Sequence, residues 1–365
     1  MTGILFVAGL VLLVLGAELL VRGASKLAAA FGISPLIIGL TVVAYGTSAP
    51  ELAVSVQSSL AGQADLALGN VVGSNIANVL LILGFSAAFA PLVVSRQLVR
   101  LDVPLMIGLS FLLFLLAFDG RISRLDGAVF VACAIAYSVF KIFQGRRENY
   151  TLDDQQVSSS PARGVSDWAM QLGLVISGLA LLVLGANWLV DSAVTFATAL
   201  GVNELIIGLT IVAVGTSLPE LATSVIASVR GERDIAVGNV IGSNIFNIIT
   251  VLGVTSVVAP EGIHVPGAVL AFDLPVMLAV AVACLPVFFT GYQIARWEGF
   301  LFLGYYVAYT LYLILQATQH AALPLFGTVM LTFVVPITVV TLVVIVLRAI
   351  RERPARVTSH TDGLH

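Results

Sequence analysis

Gly46-Thr47-Ser48-Ala49-Pro50-Glu51-Leu52 lies inside an apolar stretch, and Gly215-Thr216-Ser217-Leu218-Pro219-Glu220-Leu221 repeats it 169 residues later. A carboxylate at the centre of a membrane-spanning helix costs about 2.5–3.5 kcal/mol on insertion scales. A chain that carries this cost twice, in one motif, uses both carboxylates for the same task. The likeness extends well beyond seven residues. Aligned without gaps, 39–84 and 208–253 are identical at 28 of 46 positions. The match runs back through Leu12-Leu13-Val14-Leu15-Gly16-Ala17 against Leu181-Leu182-Val183-Leu184-Gly185-Ala186. It runs forward through Asp102-Val103-Pro104 against Asp273-Leu274-Pro275, and through Asp126-Gly127 against Glu298-Gly299.

The surroundings are apolar throughout. Of 365 residues, 59% are hydrophobic and 10% charged, against about 25% charged in a soluble domain. This excludes a soluble enzyme with a single anchor and points to a multi-pass, all-α membrane protein. The two cysteines, Cys133 and Cys284, fall in apolar segments with no C-x-x-C and no disulfide framework. His264, His320, His360 and His365 lie in loops or the tail, which argues against a histidine metal site in the membrane. The N-terminus lacks the basic region of a cleaved signal peptide and reads as a first spanning helix.

A span takes about 20 apolar residues. Candidates are 3–21, 33–60, 65–89, 103–118, 126–143, 168–190, 203–229, 234–258, 274–290, 298–317 and 324–347, eleven in all. The expected organisation is a first repeat at 1–145, a polar linker at 146–166, a second repeat at 167–318, an extra spanning helix at 324–347 and a tail at 348–365. With the N-terminus outside, fifteen of the 17 Lys and Arg residues fall on the inner side, and only Arg121 and Arg124 outside. That is the bias of a cell-membrane protein with cytoplasmic linker and C-terminus. Each half has five helices. Five is odd, so the second half enters the membrane with opposite polarity, as in secondary transporters whose site lies near the midplane between inverted repeats.

Pro50 lacks an N–H, so the helix is expected to break near Gly46 and free main-chain oxygens. Thr47 and Ser48 stand four and three residues before Glu51, on one helix face. Thr216, Ser217 and Glu220 repeat the set. A second element, Gly69-Asn70-Val71-Val72-Gly73-Ser74-Asn75-Ile76-Ala77-Asn78, recurs from Gly238 to Asn247. It places Ser74 four residues before Asn78, and Ser243 four before Asn247. These donors are all hard oxygens. Ca²⁺ takes six to eight of them, and there is no thiolate or imidazole to select zinc or copper. Mg²⁺ and Mn²⁺ accept the same ligand type. Two glutamates neutralise one Ca²⁺, and Na⁺ or protons could replace it. Asn70, Asn75, Asn239 and Asn244 read as helix-to-helix hydrogen bonds, Gly16 and Gly185 as helix contacts. Asp65, Asp102, Asp234 and Asp273 read as N-caps, and Glu18 as a partner of Arg22.

The paired G-T-S-x-P-E-L and G-N-x-x-G-S-N-I-x-N motifs resemble those of the calcium/cation antiporter superfamily, in particular its prokaryotic sodium/calcium exchanger branch, over roughly residues 3–317. The resemblance implies a cluster of midplane sites with Glu51 and Glu220 as central Ca²⁺ ligands. It implies main-chain oxygens from Thr47 and Thr216, and flanking Na⁺ sites from the Ala44 and Ala213 carbonyls with Ser48, Ser74, Ser217 and Ser243. Asn78 lines the centre, and the helices at 3–21 and 168–190 look like a sliding gate. Two departures stand out. Asn247 occupies a position where relatives often carry Asp, which removes a third carboxylate, and 324–347 exceeds the family's ten-helix core.

The expected function is an antiporter exchanging Ca²⁺ for Na⁺ by alternating access in the lipid bilayer, with no cofactor and no nucleic-acid partner. The alternatives are Ca²⁺/H⁺ exchange and a passive cation channel. An intramembrane aspartyl protease fits poorly, because hydroxyl and amide oxygens surround the carboxylates.

Overall fold

The computed structural model describes residues 2–31, 33–62, 64–153, 165–202, 204–207, 210–211 and 213–351. Among these, nine helices are long and apolar enough to cross a membrane, and a tenth span is a bent pair. In chain order they are α1 (Thr2–Phe31), the bent pair α2 (Pro35–Thr47) and α3 (Ala49–Leu60), α4 (Leu66–Phe89), α5 (Leu98–Asp119), α6 (Arg124–Gly145) and α7 (Ala169–Ala199). The expected span at 203–229 is described in pieces, Glu204–Ile207, Ala213–Gly215 and α8 (Leu218–Val229). Then follow α9 (Arg233–Val258), α10 (Val269–Phe289), α11 (Arg296–Ala317) and α12 (Leu323–Leu347).

Two short strand pairs show how the halves are arranged. β1 (Leu92–Val93), just before α5, pairs antiparallel with β4 (Gln293–Ile294), just after α10. β2 (Arg121–Ile122), just after α5, pairs with β3 (Ile263–His264), just before α10. So α5 and α10, repeat counterparts, run in opposite directions between the same two faces. This is the inverted topology that five helices per half requires. The pairs are only two residues long, enough to satisfy backbone groups where loops meet at each face.

The centre belongs to α4 and α9. α9 is almost wholly buried and α4 mostly so, whereas no residue of α12 is buried. Glycines let α9 lie directly on α2: a Cβ on Gly242 would stand 2.7 Å from the Leu40 carbonyl oxygen, and one on Gly238 2.9 Å from that of Leu36. The additional helix α12 stays at the periphery, where Tyr305 of α11 donates a hydrogen bond to Thr338 (2.7 Å).

Several ends differ from the sequence expectation. α1 continues to Phe31 rather than stopping near 21. Arg22 and Lys26 are good helix formers and continue the helix past the apolar stretch while their heads stay polar. The helix that contains α6 runs on to Asp153, into the expected linker, since no Gly or Pro intervenes after Gly145. The rest of the linker, 154–164, and the tail from 352 lie outside the described residues. α5 and α10 start about a turn earlier than expected, so Asp102 and Asp273 sit inside helices in αR geometry and cap nothing. Asp102 instead forms a fully buried pair with Lys141 (2.5 Å), and Asp273 accepts from the Tyr309 hydroxyl (2.9 Å). Glu232, not Asp234, holds the N-cap position of α9. The side chain of Asp65 is outside the described set.

Candidate ion-binding site

The site begins with two broken helices. α2 ends at Thr47, Ser48 takes φ −86° and ψ 7°, and α3 starts at Ala49, bent by 41°. The copy is the same: Ser217 has φ −89° and ψ 7°, and α8 starts at Leu218. Pro50 and Pro219 fall in the first turn of the new helix, where a missing N–H costs nothing. Glu51 and Glu220 share that first turn, where unsatisfied N–H groups favour negative charge. Thr47 closes α2, where carbonyls face forward and favour a cation. Each break therefore sets a carboxylate beside a helix N-terminus and opposite a helix C-terminus.

The two breaks interlock. Ser48 Oγ donates to Glu220 Oε1 (2.8 Å), and Ser217 Oγ to Glu51 Oε1 (3.4 Å). Thr47 Oγ1 donates to Asn239 Oδ1 (3.1 Å), and Thr216 Oγ1 to Asn70 Oδ1 (3.4 Å). Every one of these bonds crosses from one repeat to the other. Asn70 and Asn239 also hold their own repeats together, donating to Ser55 (3.0 Å) and Ser224 (2.9 Å). Glu51 and Glu220 are each 1% exposed, so both carboxylates are out of contact with bulk solvent.

Six buried oxygens on the two motifs and their copies have no hydrogen-bond partner among the described residues: Glu51 Oε2, Glu220 Oε2, Ser74 Oγ, Ser243 Oγ, Asn78 Oδ1 and Asn247 Oδ1. They form three repeat-related pairs. Leaving such an acceptor buried and unpaired costs about 1–3 kcal/mol, and here that cost recurs at matching positions of both repeats. The main-chain oxygens are less symmetric. Ala44's carbonyl accepts the Ser48 N–H (3.0 Å), whereas the Ser217 N–H goes to Val214 (3.1 Å) and not to Ala213.

Of the sequence candidates, the two Glu, Ser74, Ser243, Asn78 and Asn247 thus each keep a buried oxygen without a partner among the described residues. Ser48 and Ser217 use their hydroxyls on the opposite glutamate, and Thr47 and Thr216 use theirs on asparagines. Each of these hydroxyls spends its one proton in that bond and keeps its oxygen lone pairs. The chain also carries π-helical turns starting at Asn78 and at Asn247, which composition does not reveal; such widened turns are frequent at functional sites.

A model of the family described as "Sodium/calcium exchanger protein" matches residues 2–143 and 170–315. The chain belongs to the sodium/calcium exchanger protein family. Among its relatives, sodium/calcium exchanger MaX1 of Methanosarcina acetivorans is 36% identical over 84% of this chain and 96% of its own. Inner membrane protein YrbG of Escherichia coli is 40% identical over 76% of this chain and 86% of its own. A solved structure of the sodium-calcium exchanger NCX_Mj superposes with a TM-score of 0.72 at 30% identity, covering 84% of this chain and 96% of that one. This family member is therefore a membrane transporter of the cation/Ca²⁺ antiport class and not an enzyme. The matched region ends before α12, in keeping with its peripheral place.

Proposed function

We propose that the protein exchanges Ca²⁺ for Na⁺ across the cell membrane, with Glu51 and Glu220 as the charged ligands of one midplane site. The three pairs of buried, unpartnered oxygens carry this reading. Two carboxylates balance the charge of one Ca²⁺. Hydroxyl, amide and main-chain oxygens bring the set toward the six to eight ligands that Ca²⁺ takes. Ser48, Ser74, Ser217 and Ser243, with the Ala44 and Ala213 carbonyls, flank the centre and suit Na⁺, which needs oxygens but less charge. Relatives named as sodium/calcium exchangers support the same ion pair.

The exchange step is alternating access. α1 and α7 meet backbone to backbone, and α7 lies against both breaks: a Cβ on Gly46 would come within 2.7 Å of Leu179, and one on Gly215 within 2.6 Å of Val190. A paired unit that touches both breaks can slide to open the site to one face and then to the other, the rigid-body mode of inverted-repeat transporters. If more than two Na⁺ exchange for each Ca²⁺, the cycle moves net charge and responds to membrane potential.

The test is radiolabelled Ca²⁺ uptake into proteoliposomes loaded with Na⁺ and diluted into Na⁺-free buffer. Uptake is expected, and it stops when an ionophore collapses the Na⁺ gradient. Uptake that follows an imposed proton gradient and ignores Na⁺ replaces this reading with Ca²⁺/H⁺ exchange. Current without counter-ion movement replaces it with a channel.

A further inference from the structure

Asn75 and Asn244 lie one residue past Ser74 and Ser243, on the same helices as the proposed ligands Asn78 and Asn247. Both are almost fully buried, at 3% and 2% exposure. Each reaches across the repeat boundary to the other repeat's ligand. Asn78 Nδ2 donates to Asn244 Oδ1 (3.0 Å), and Asn247 Nδ2 donates to Asn75 Oδ1 (3.1 Å). These are the helix-to-helix bonds that the sequence predicts, and the direction of each bond carries more.

A carboxamide has one acceptor end and one donor end. A cation accepts only the oxygen, so an asparagine ligand that turns over presents N–H to the ion and repels it. Something must fix which end faces the site. For Asn75, Nδ2 faces the Asn244 main-chain carbonyl (3.3 Å) and the Met277 sulfur (3.8 Å). For Asn244, Nδ2 faces the Met106 sulfur (3.4 Å). A carbonyl and a thioether only accept, so both amides are forced to turn Oδ1 toward the ligand asparagine. That ligand must answer with Nδ2, which leaves its own Oδ1 free to take a cation. Asn78 Oδ1 and Asn247 Oδ1 are indeed buried without a partner among the described residues. Met106 stands four residues after Asp102 and Met277 four after the aligned Asp273, so the thioether contact occurs in both repeats, and Asn75 has the main-chain carbonyl in addition.

We infer that Asn75 and Asn244 are positioning residues that lock the Asn247 and Asn78 carboxamides, each in the opposite repeat, with oxygen facing the ion. The inference rests on the reading of Asn78 and Asn247 as cation ligands. It also gives a physical role to Asn247 as an amide: with no second carboxylate oxygen, its orientation has to be enforced from outside.

The test uses near-isosteric Asn75→Leu and Asn244→Leu in the full chain, measuring Ca²⁺ concentration dependence of uptake in proteoliposomes. Loss of a group that orients a metal ligand costs about 10- to 100-fold in metal affinity, so KM for Ca²⁺ rises by that factor while the maximal rate changes less. The decisive arm adds Asp at the ligand position. A carboxylate accepts with either oxygen and has no wrong end, so Asn75→Leu with Asn247→Asp, and Asn244→Leu with Asn78→Asp, recover most of the loss relative to the Asp single variants. A role in helix contact alone costs the same in both backgrounds, and that result overturns the inference. The two repeats supply independent variant pairs, so failure of one to fold leaves the other to decide. Asn78→Ala and Asn247→Ala separate the underlying reading: if neither alters KM, the site assignment fails with the inference. If both raise KM and the Leu variants do not, only the positioning role fails.

Discussion

Glu51 and Glu220 occupy the first turn of a half-helix, each with one oxygen held by a serine of the other repeat and one oxygen without a partner among the described residues. Glutamine keeps the size and the acceptor but loses the charge, and it adds a donor end that faces a cation unfavourably. Removing one member of a buried charged set costs about 3–5 kcal/mol, and each 1.4 kcal/mol is about tenfold. Glu51→Gln and Glu220→Gln are therefore each expected to lower Ca²⁺ uptake by roughly 100-fold or more, with the protein still monodisperse by size exclusion. Unaltered transport in either variant sinks the central role of that carboxylate. These glutamates could be read from sequence because a charge in an apolar span is conspicuous and its copy doubles the signal. For Ser74, Asn78 and their copies, spacing indicated a shared helix face and the family resemblance the expected ligand role. Asn75 and Asn244 had no such signal, because their orientation is set by Met106 and Met277 on other helices, a contact that no local pattern encodes. Asp102 was misread for a similar reason. A carboxylate just before Val-Pro has the pattern of a cap, but its partner Lys141 arrives from α6 and draws it into the interior.

At the scale of elements, α1 and α7 have a seam made of glycine. A Cβ on Gly16 would stand 2.7 Å from the Leu182 nitrogen and 2.8 Å from the Gly178 oxygen; one on Gly178 would meet Leu20 and Gly16 backbone at 2.7 and 2.8 Å. The obstructing atoms are main chain and cannot rotate aside, so any side chain pushes the helices apart. Close backbone approach through small residues is the main source of helix adhesion in lipid. Gly16→Leu is expected to cost about 1–3 kcal/mol of stability by overpacking and to slow exchange more than tenfold. Gly304→Ala on α11, with nothing within 4 Å of the added carbon, is expected to change neither. Thermal melting and uptake rate measured on the same preparations check both; a Gly16→Leu protein that exchanges at the normal rate removes the seam from the mechanism. The existence of these helices and of the break at Pro50 was legible, since apolar length and a missing N–H are local properties. The widened turns at Asn78 and Asn247 were not, because one extra residue per turn leaves hydrophobicity unchanged.

The molecule as a whole shows which loops share a face. β1 with β4 joins the segment before α5 to the one after α10, and β2 with β3 joins their opposite ends. Charge contacts agree: Glu18 on α1 pairs with Arg22 (2.5 Å) and with Arg230 beyond α8, and Ser25 donates to Glu232 (2.7 Å). The repeat-related positions hold Asn187, Asp191 and Ala61, so this ionic link has no copy at the other face. The structure thus groups Arg22, Arg230 and the loop at 293 together and sets the loops at 121 and 263 opposite. We expect the Arg22 side to be the cytoplasmic one, because the expected topology assigns it fifteen of the 17 Lys and Arg residues and basic residues stay inside. In a Cys133→Ala, Cys284→Ala background, single cysteines at the exposed positions Ala61 and Glu261 are expected to react with a membrane-impermeant maleimide added to intact cells. A cysteine at exposed Gln293 is expected to react only after permeabilisation. Ala61 follows a helix of the first repeat and Glu261 one of the second, so joint labelling also checks that the halves are inverted. Labelling of Gln293 alone in intact cells reverses the orientation while leaving the fold intact, and labelling of Ala61 without Glu261 contradicts the inverted arrangement itself.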